Sequence, residues 1–460
     1  MATTPAQHDV RPEEVREILA SRILVDGFHL VVDPQASQRA YLHDGASGQD
    51  FLDFYAYFAS QPISYNHPRM REPEFQAKLL TAAGTKVANS DVYTTYYAEF
   101  VRALAEYAAP PGFEHFFFID GGALAVENAL KTAFDWKVRK NLAAGRGELG
   151  AKVIHFRRAF HGRSGYTMSL TNTEPNKTLY FPKFDWPRID NPYIDFSIPE
   201  PRRTEDVAAR EQAALAQIGA AIEQHGHDLA CVIIEPIQGE GGDNHFRGEF
   251  LQALRDVCDR HELLLIFDEV QTGVGMTGQM WCFQHFDVEP DILCFGKKMQ
   301  ICGIMAGARI DDVAENVFKL PSRINSTWGG NLTDMVRSTQ FLRIIHEEGL
   351  VDRAAESGEY LLEGLHRLAE RHAGVTAVRG RGLMCALDLP DRKTRDRLRA
   401  ACAERLMLVL SCGERSLRFR PVLDVEFAEL DVGLERLDEA LASLSAPARV
   451  DPAPEHQGET

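Results

Sequence analysis

Five short apolar runs alternate with longer amphipathic segments in the middle of this 460-residue chain. The runs are HFFFID (115–120), AKVIHF (151–156), ACVIIEPI (230–237), LLLIFDEV (263–270) and DILCFG (291–296). Helical patterns separate them at 124–143, 204–225 and 248–262. Strands that are apolar throughout and alternate with helices are typical of a mostly parallel sheet built from βαβ units. The chain is therefore predicted to have an α/β fold.

The segments on either side of this sheet differ from it in pattern. We expect a large α/β domain at 80–335 and a smaller α+β domain assembled from 11–79 and 336–445. Short strand patterns, HLVVD, RAYLHD and FLDFYAYF, lie in the first of these segments. The ends of the chain, 1–10 and 446–460, are rich in Pro, Ala and polar residues, which predicts disordered tails.

Composition narrows the class of protein. The formal charge is −17, which argues against general affinity for nucleic acid or anionic membranes. No stretch approaches the ~18 apolar residues of a membrane span, and the first residues lack a signal-peptide pattern. The eight cysteines form no C-x-x-C pair, so neither a metal site nor a disulfide framework is predicted. Buried free thiols and a cytoplasmic location fit best.

Polar or glycine residues follow the ends of the predicted strands, where ligands bind in open α/β sheets. Gly121, Gly122 and Ala123 lie between a strand and a long helix. Small residues with free N–H groups at a helix start favour a phosphate, although a plain tight turn is the alternative. The segment matches neither G-x-G-x-x-G nor a P-loop, so a nucleotide is poorly supported.

A carboxylate and two lysines follow two other strands. Asp268 closes LLLIFDEV, where a carboxylate needs a partner such as a cationic ring nitrogen; a helix cap or an ion pair with a loop arginine is the alternative. Lys297 and Lys298 follow DILCFG. A buried amine with a lowered pKa is a nucleophile towards carbonyl carbon. Side-chain alternation predicts that Lys297 faces the site and that Lys298 points away as a surface or interface residue.

A phosphate loop, an acidic partner and a lysine, each after a strand of one sheet, predict pyridoxal 5′-phosphate (PLP) as the cofactor. Its pyridinium ring is an electron sink when opposed by an aspartate, and its aldehyde reacts with a lysine.

With FDEVQTGVGMTG, FGKK, EPIQGEGG and FHGRSGYT in this order, the chain resembles the class III (ω-amino acid) aminotransferases of fold type I over about residues 20 to 445. It departs from the family pattern at Gly121, where Ser is frequent, and at Gly303, which lacks a glycine neighbour. The tracts FPKFDWPRI and SRINSTWGGN are similar to those of members that act on L-lysine. The resemblance implies transfer of the ε-amino group of L-lysine to 2-oxoglutarate.

The resemblance also implies roles for single residues. Lys297 would carry the cofactor and move the proton, Asp268 would pair with the pyridinium, and Gln271 would bind the phenolic oxygen. Phe160 would stack on the ring. Thr327 would reach the phosphate of the other subunit, which implies a homodimer with composite sites. Gly122 and Ala123 would donate N–H groups to the phosphate.

The resemblance further implies that two arginines and a glutamate bind and distinguish the two substrates. Arg163 would bind the α-carboxylate of lysine, and Arg418 that of 2-oxoglutarate, since guanidinium groups bind carboxylates bidentately. Glu240 would pair with Arg418 while lysine is bound and swing away for the oxo acid. Plain ion pairs are the alternative for both arginines, and a solvated loop carboxylate is the alternative for Glu240. His161 receives no role.

Other functions remain open at this stage. Ornithine and 4-aminobutyrate aminotransferases share most of these residues, and one or two methylenes discriminate substrates weakly. A PLP-dependent aminomutase would keep Lys297 and Asp268 but need no amino acceptor. A non-catalytic PLP-binding protein would bind the cofactor without transamination.

Overall fold

The computed structural model describes residues 10–445. Both predicted tails lie outside the described residues, apart from Val10. The helices are α1 (Pro12–Ala20), α2 (Ala56–Ala59), α3 (Pro73–Ala83), α4 (Thr95–Tyr107), α5 (Gly122–Ala143), α6 (Thr167–Leu170), α7 (Arg202–His225), α8 (Gly248–Arg260), α9 (Leu332–Glu347), α10 (Leu350–Arg371), α11 (Arg392–Glu404) and α12 (Phe427–Ser445). The strands are β1 (Val32–Gln38), β2 (Tyr41–Asp44), β3 (Asp50–Asp53), β4 (Phe113–Ile119), β5 (Lys152–Phe156), β6 (Arg188–Ile189), β7 (Leu229–Ile234), β8 (Ile237–Gln238), β9 (Asn244–His245), β10 (Leu264–Asp268), β11 (Ile292–Phe295), β12 (Cys302–Gly307), β13 (Thr376–Arg381), β14 (Met384–Asp388), β15 (Met407–Leu408), β16 (Leu410–Cys412) and β17 (Ser416–Phe419).

A seven-stranded sheet in the order β4-β12-β11-β10-β7-β5-β6 forms the centre of the molecule. Strands β11, β10, β7, β5 and β6 pair in parallel, whereas β12 runs antiparallel to both β11 and β4. The prediction of a mostly parallel sheet is confirmed. The strands β6 and β12 were not predicted, because β6 has only two residues and β12 is a short stretch of small and apolar residues after the lysines.

Helices cover both faces of this sheet. Ile233 of β7 packs in one apolar cluster with residues of α5, whereas its neighbours Val232 and Ile234 pack in another with residues of α8. Successive strand side chains point to opposite faces, so the continuous apolar runs bury both faces at once. This burial explains why the runs do not alternate with polar residues.

The N-terminal and C-terminal segments meet in a second sheet, of order β1-β2-β3-β15, in which β15 pairs in parallel with β3. A third sheet, of order β13-β14-β17-β16, follows later in the chain. These pairings support a small unit made from both ends of the chain, as expected. The boundaries 11–79, 80–335 and 336–445 stay a prediction.

The predicted strand FLDFYAYF ends early. Strand β3 stops at Asp53, whose carboxylate Oδ1 accepts hydrogen bonds from the N–H groups of Tyr55 and Ala56. The four residues of α2 that follow have φ between +43° and +64°, a left-handed turn that is rare outside glycine. The strand prediction is therefore wrong beyond residue 53, because an aspartate side chain turns the backbone there.

None of the helices in residues 10–445 combines the length and the apolar character that crossing a membrane requires. All eight cysteines are unpaired in the structure, and seven of them are buried.

Candidate active site

A cavity of about 740 Å3 opens beyond the ends of β5, β10 and β11. Its walls include Gly122, Ala123, Phe160, Arg163, Glu240, Asp268, Gln271 and Lys297, which are all of the predicted site residues except Arg418 and Thr327. These residues come from five separate stretches of the chain. The sheet brings them together because the ends of parallel strands share one edge.

A larger cleft, of about 850 Å3, lies behind Gly241 and Gly242. Arginines and carboxylates line it, with no lysine and no glycine-opened helix start. The cavity that holds Lys297 is therefore the candidate active site.

Lys297 is the lysine that lines this cavity. It follows β11 and Gly296 and has φ +49°, a left-handed conformation uncommon for a residue with a side chain and concentrated at functional sites. Burial, followed by the nearby charge of Arg418, lowers the pKa of Lys297 to about 8. A lysine with such a pKa has a substantial neutral fraction near physiological pH, as a nucleophile requires.

Lys298 is buried, so its prediction as a surface residue is wrong. Its side chain donates hydrogen bonds from Nζ to the carbonyl oxygens of Ala59 and Gln271, both at 3.1 Å. Burial lowers its pKa. Strand alternation fails here because β11 ends at Phe295 and a 3-10 turn, Lys297–Met299, carries both lysines. Lys298 thereby ties the left-handed turn α2 to the Gln271 segment.

Asp268 is held by a residue to which the sequence assigned no role. Its Oδ2 lies 2.7 Å from Nδ1 of His161, and Oδ1 accepts a hydrogen bond from the N–H of Val270 at 3.1 Å. Burial by itself lowers the pKa of His161, but the hydrogen bond and charge of Asp268 outweigh it and raise that pKa. His161 thus keeps the carboxylate of Asp268 oriented. The indication available in the sequence was the position of His161 in the FHGR motif.

Glu235 is a second residue that sequence reasoning missed. Its Oε1 accepts from the N–H of Phe160 at 2.9 Å and its Oε2 from the N–H of Gly239 at 3.1 Å. Burial raises the pKa of Glu235 to about 7. This carboxyl group joins the loop of Phe160 to the loop of Glu240. The indication available in the sequence was the position of Glu235 as the first glutamate of EPIQGEGG.

Arg418 is paired with Glu240. Strand β17 carries Arg418, which is 3% exposed, and its Nη2 lies 2.8 Å from Oε2 of Glu240. Its Nη1 donates to Oε1 of Gln271 at 3.3 Å. Burial raises the pKa of Glu240, but Arg418 and Lys177 outweigh burial and lower it. Nζ of Lys177 lies 2.5 Å from Oε1 of Glu240. No role for Lys177 was indicated by the sequence.

The start of α5 presents open backbone donors. Gly121 has φ +100°, which favours glycine, and the first N–H groups of a helix have no partner within the helix. A side chain on Gly162 would collide with Ala123, so the FHGR loop closes tightly on this helix start. The result is a narrow cradle for an anion.

Two predicted residues remain apart from this arrangement. Arg163 lines the cavity edge and is exposed, and no carboxylate of residues 10–445 lies within 4.0 Å of it. Thr327 is exposed and does not line the cavity of its own chain. Its predicted contact with a partner subunit stays a prediction.

The aminotransferase class-III family model matches residues 25–441. The chain belongs to the class-III aminotransferase family. Among curated members, it is 52% identical to the L-lysine-epsilon aminotransferase of Mycobacterium bovis, over 94% of this chain and 96% of that protein. It is 50% identical to the protein of the same name from Amycolatopsis lactamdurans, over 96% of this chain and 98% of that protein.

A solved class-III structure has the same fold. It is described as lysine aminotransferase from M. tuberculosis in the internal aldimine form, and it superposes with a TM-score of 0.93 at 50% identity. The match covers 95% of this chain and 100% of that one. The predicted fold type I is confirmed.

As a class-III aminotransferase, the protein is an enzyme with PLP as its cofactor. The residues present fit this cofactor. A buried amine, a buried carboxylate held by a histidine, and open N–H groups at a helix start line one cavity.

Proposed function

We propose that this aminotransferase moves the ε-amino group of L-lysine to 2-oxoglutarate, giving 2-aminoadipate 6-semialdehyde and L-glutamate. One observation carries the proposal: Arg418 is paired with Glu240, which lines the same cavity as Lys297, whereas Arg163 lines the edge of that cavity and has no carboxylate partner among residues 10–445. The site thus has one carboxylate receptor that is always available and one that is conditional. The curated relatives named for lysine support the choice of amine.

Several residues would hold the cofactor. Asp268, oriented by His161, would pair with the ring nitrogen, and Gln271 with the phenolic oxygen. Gly122 and Ala123 would donate their N–H groups to the phosphate. Phe160, whose N–H is held by Glu235, would stack on the ring.

Lys297 would be the general acid and base. When bound, PLP supplies an electron sink that stabilises negative charge on the amine-bearing carbon. In each half-reaction, Lys297 Nζ would move one proton between that carbon and C4′ of the cofactor, and the opposite half-reaction would run this transfer in reverse. Its pKa of about 8 supports this role, because both protonation states are accessible near neutral pH.

The two arginines would bind the two substrates at different ends. Arg163 would bind the α-carboxylate of lysine, so that the ε-amine reaches Lys297. While lysine is bound, Glu240 would stay paired with Arg418, so that this guanidinium would not bind the α-carboxylate of lysine. With 2-oxoglutarate, the α-carboxylate would replace Glu240 on Arg418, which places the oxo carbon at the reaction centre.

The proposed assembly is a homodimer with composite sites. Thr327 is exposed and absent from its own cavity, as a residue serving a partner's cofactor phosphate would be. Trp328 beside it is 43% exposed, and Tyr93 is 80% exposed, both unusual for large aromatic residues in a monomer. The proposed location is the cytoplasm, where eight unpaired thiols stay reduced.

The test is a panel of ω-amines with 2-oxoglutarate, scored by glutamate formed and by trapping of the semialdehyde as its cyclic piperideine carboxylate. L-Lysine should be preferred over ornithine and 4-aminobutyrate by at least about tenfold in kcat/KM, which corresponds to one or two methylenes in a shaped pocket. Preference for another amine would reject lysine as the substrate while keeping transamination.

The same assay separates the remaining alternatives. An aminomutase would turn over without 2-oxoglutarate, whereas the proposed enzyme requires it in every cycle. Cofactor binding without glutamate formation from any amine would indicate a non-catalytic protein.

A further inference from the structure

The Glu240 carboxylate lies between two cations on separate elements. Oε2 contacts Arg418 of β17 at 2.8 Å, and Oε1 contacts Nζ of Lys177 at 2.5 Å. Lys177 ends a short 3-10 turn, Pro175–Lys177. Among the described residues, the one other carboxylate within 4.0 Å of Lys177 Nζ belongs to Glu174, at 4.0 Å. Because the two cations use different oxygens, one contact can break without the other.

Release of Arg418 creates a charge problem for Glu240. The Glu240 side chain is only 25% exposed, and a carboxylate withdrawn from water is costly without a partner. An oxo acid that takes Arg418 removes one partner. Lys177 remains, and its Nζ also lies 5.5 Å from the centre of the Phe160 ring, at the wall of the cavity.

We propose that Lys177 is a positioning residue that holds Glu240 after Arg418 is released, and thereby sets how readily the site accepts the oxo acid. This inference rests on the proposed function, since it requires that Glu240 and the oxo acid compete for Arg418. Lys177 attracts Glu240 without depending on Arg418, so it lowers the cost of opening the inner receptor. Without Lys177, Arg418 would be the remaining cation within 4.0 Å of Glu240 among residues 10–445, so Glu240 would compete more strongly for Arg418.

The primary test replaces Lys177 by methionine, which keeps the length of the side chain and removes its charge. Stopped-flow absorbance of the holoenzyme gives the apparent Kd of each half-reaction, with L-lysine and with 2-oxoglutarate. The Lys177→Met variant should raise the Kd for 2-oxoglutarate about three- to fivefold more than that for L-lysine, the size of a partly exposed ion pair. Calorimetric titration with glutarate, an unreactive dicarboxylate, should show the same weakening.

Two variants serve as controls. Lys177→Arg keeps the charge and should restore the wild-type ratio. Lys183→Met removes a lysine of the same loop, whose Nζ donates to the carbonyl oxygens of Thr178 and Phe181. No carboxylate of residues 10–445 lies within 4.0 Å of that Nζ, so Lys183→Met should leave the ratio within about 1.5-fold of wild type.

A double-mutant cycle with Glu240→Gln decides the mechanism. If Lys177 acts through Glu240, its replacement should change the ratio by less than about 1.5-fold in the Glu240→Gln background. A full effect in that background would mean that Lys177 contacts the substrate directly and would overturn the proposal. Equal weakening of both half-reactions would overturn it as well.

The outcome is separate from that of the proposed function. If the amine panel selects another amine, the cycle is measured with that amine, and the ratio still decides the role of Lys177.

Discussion

Arg418 and Arg163 differ in their exposure to solvent and in their ion pairing. Arg418 is 3% exposed and is held by Glu240 and Gln271, whereas Arg163 is exposed and has no carboxylate within 4.0 Å among residues 10–445. A buried guanidinium needs a counter-charge, but an exposed one is neutralised by water and ions. In the proposed mechanism, Arg418 would therefore be a conditional inner receptor for carboxylates and Arg163 a permanent outer receptor, which would let one site accept two unlike substrates.

Removing the amine of Lys297 should affect both half-reactions alike. Lys297→Ala should lower both half-reactions by at least about 10³-fold, since Lys297 is the proposed general base in each of them. Single-turnover absorbance measures both, and Lys131→Ala on the exposed face of α5 is the matched control. A variant that kept either half-reaction would place the reactive amine elsewhere.

Breaking the inner receptor should affect one substrate much more than the other. Arg418→Gln removes the α-carboxylate receptor and leaves Glu240 with Lys177, so the 2-oxoglutarate half-reaction should fall about 100-fold or more in kcat/KM. The L-lysine half-reaction should fall by less than about tenfold. Equal losses would show that Arg418 acts through structure alone.

Breaking the outer receptor should show the reverse preference. Arg163→Gln should raise KM for L-lysine by about 10- to 30-fold, smaller than the inner effect because an exposed ion pair is screened by water. Measurement of KM with amines that lack a carboxylate is the control, since they should be insensitive to the change. If those amines lose as much as lysine, Arg163 does not bind the carboxylate.

Removing the charge of Glu240 should reduce the difference between the lysine and glutamate half-reactions. Glu240→Gln removes the charge that closes Arg418, so α-amino acids should compete better and the ratio of lysine to glutamate half-reaction rates should fall about tenfold. Both rates come from the same stopped-flow experiment. An unchanged ratio would rule out the switch.

The smallest expected effect concerns the pH dependence of PLP capture, which should differ between the variants of Arg418 and Arg163. Burial and Arg418 lower the pKa of Lys297 to about 8. The neutral amine is therefore the major form above pH 8 and the minor form below it. Covalent capture of PLP by the apoenzyme should therefore speed up about tenfold from pH 7 to pH 9. Arg418→Gln should move the midpoint upwards, because a nearby cation favours the neutral amine, whereas Arg163→Gln should leave it in place.

Much of the site followed from the ends of apolar runs. Gly122, Asp268 and Lys297 each follow or end a strand that was predicted from its sequence, and all three line one cavity. The prediction worked because a continuous apolar run marks a strand buried on both faces, whose end must reach the edge of the sheet. The pairing of Glu240 with Arg418 came from the family resemblance.

The omitted pairs share one cause, and the error at Lys298 has another. His161 and Asp268 are 107 residues apart in the chain, and Lys177 and Glu240 are 63 apart. Local periodicity carries no information about such pairs. Lys298 was placed wrongly because strand alternation was extended past Phe295 into a 3-10 turn.

The amino-acid sequence alone determined the α/β class, the family and the residue types at the strand ends, since apolar patterning and short motifs are local properties. Only the tertiary structure decided which further charges pair with these residues: His161 with Asp268, and Lys177 with Glu240. The physical reason is that Coulomb and hydrogen-bond energies depend on distance in space, which the sheet topology sets and residue spacing does not.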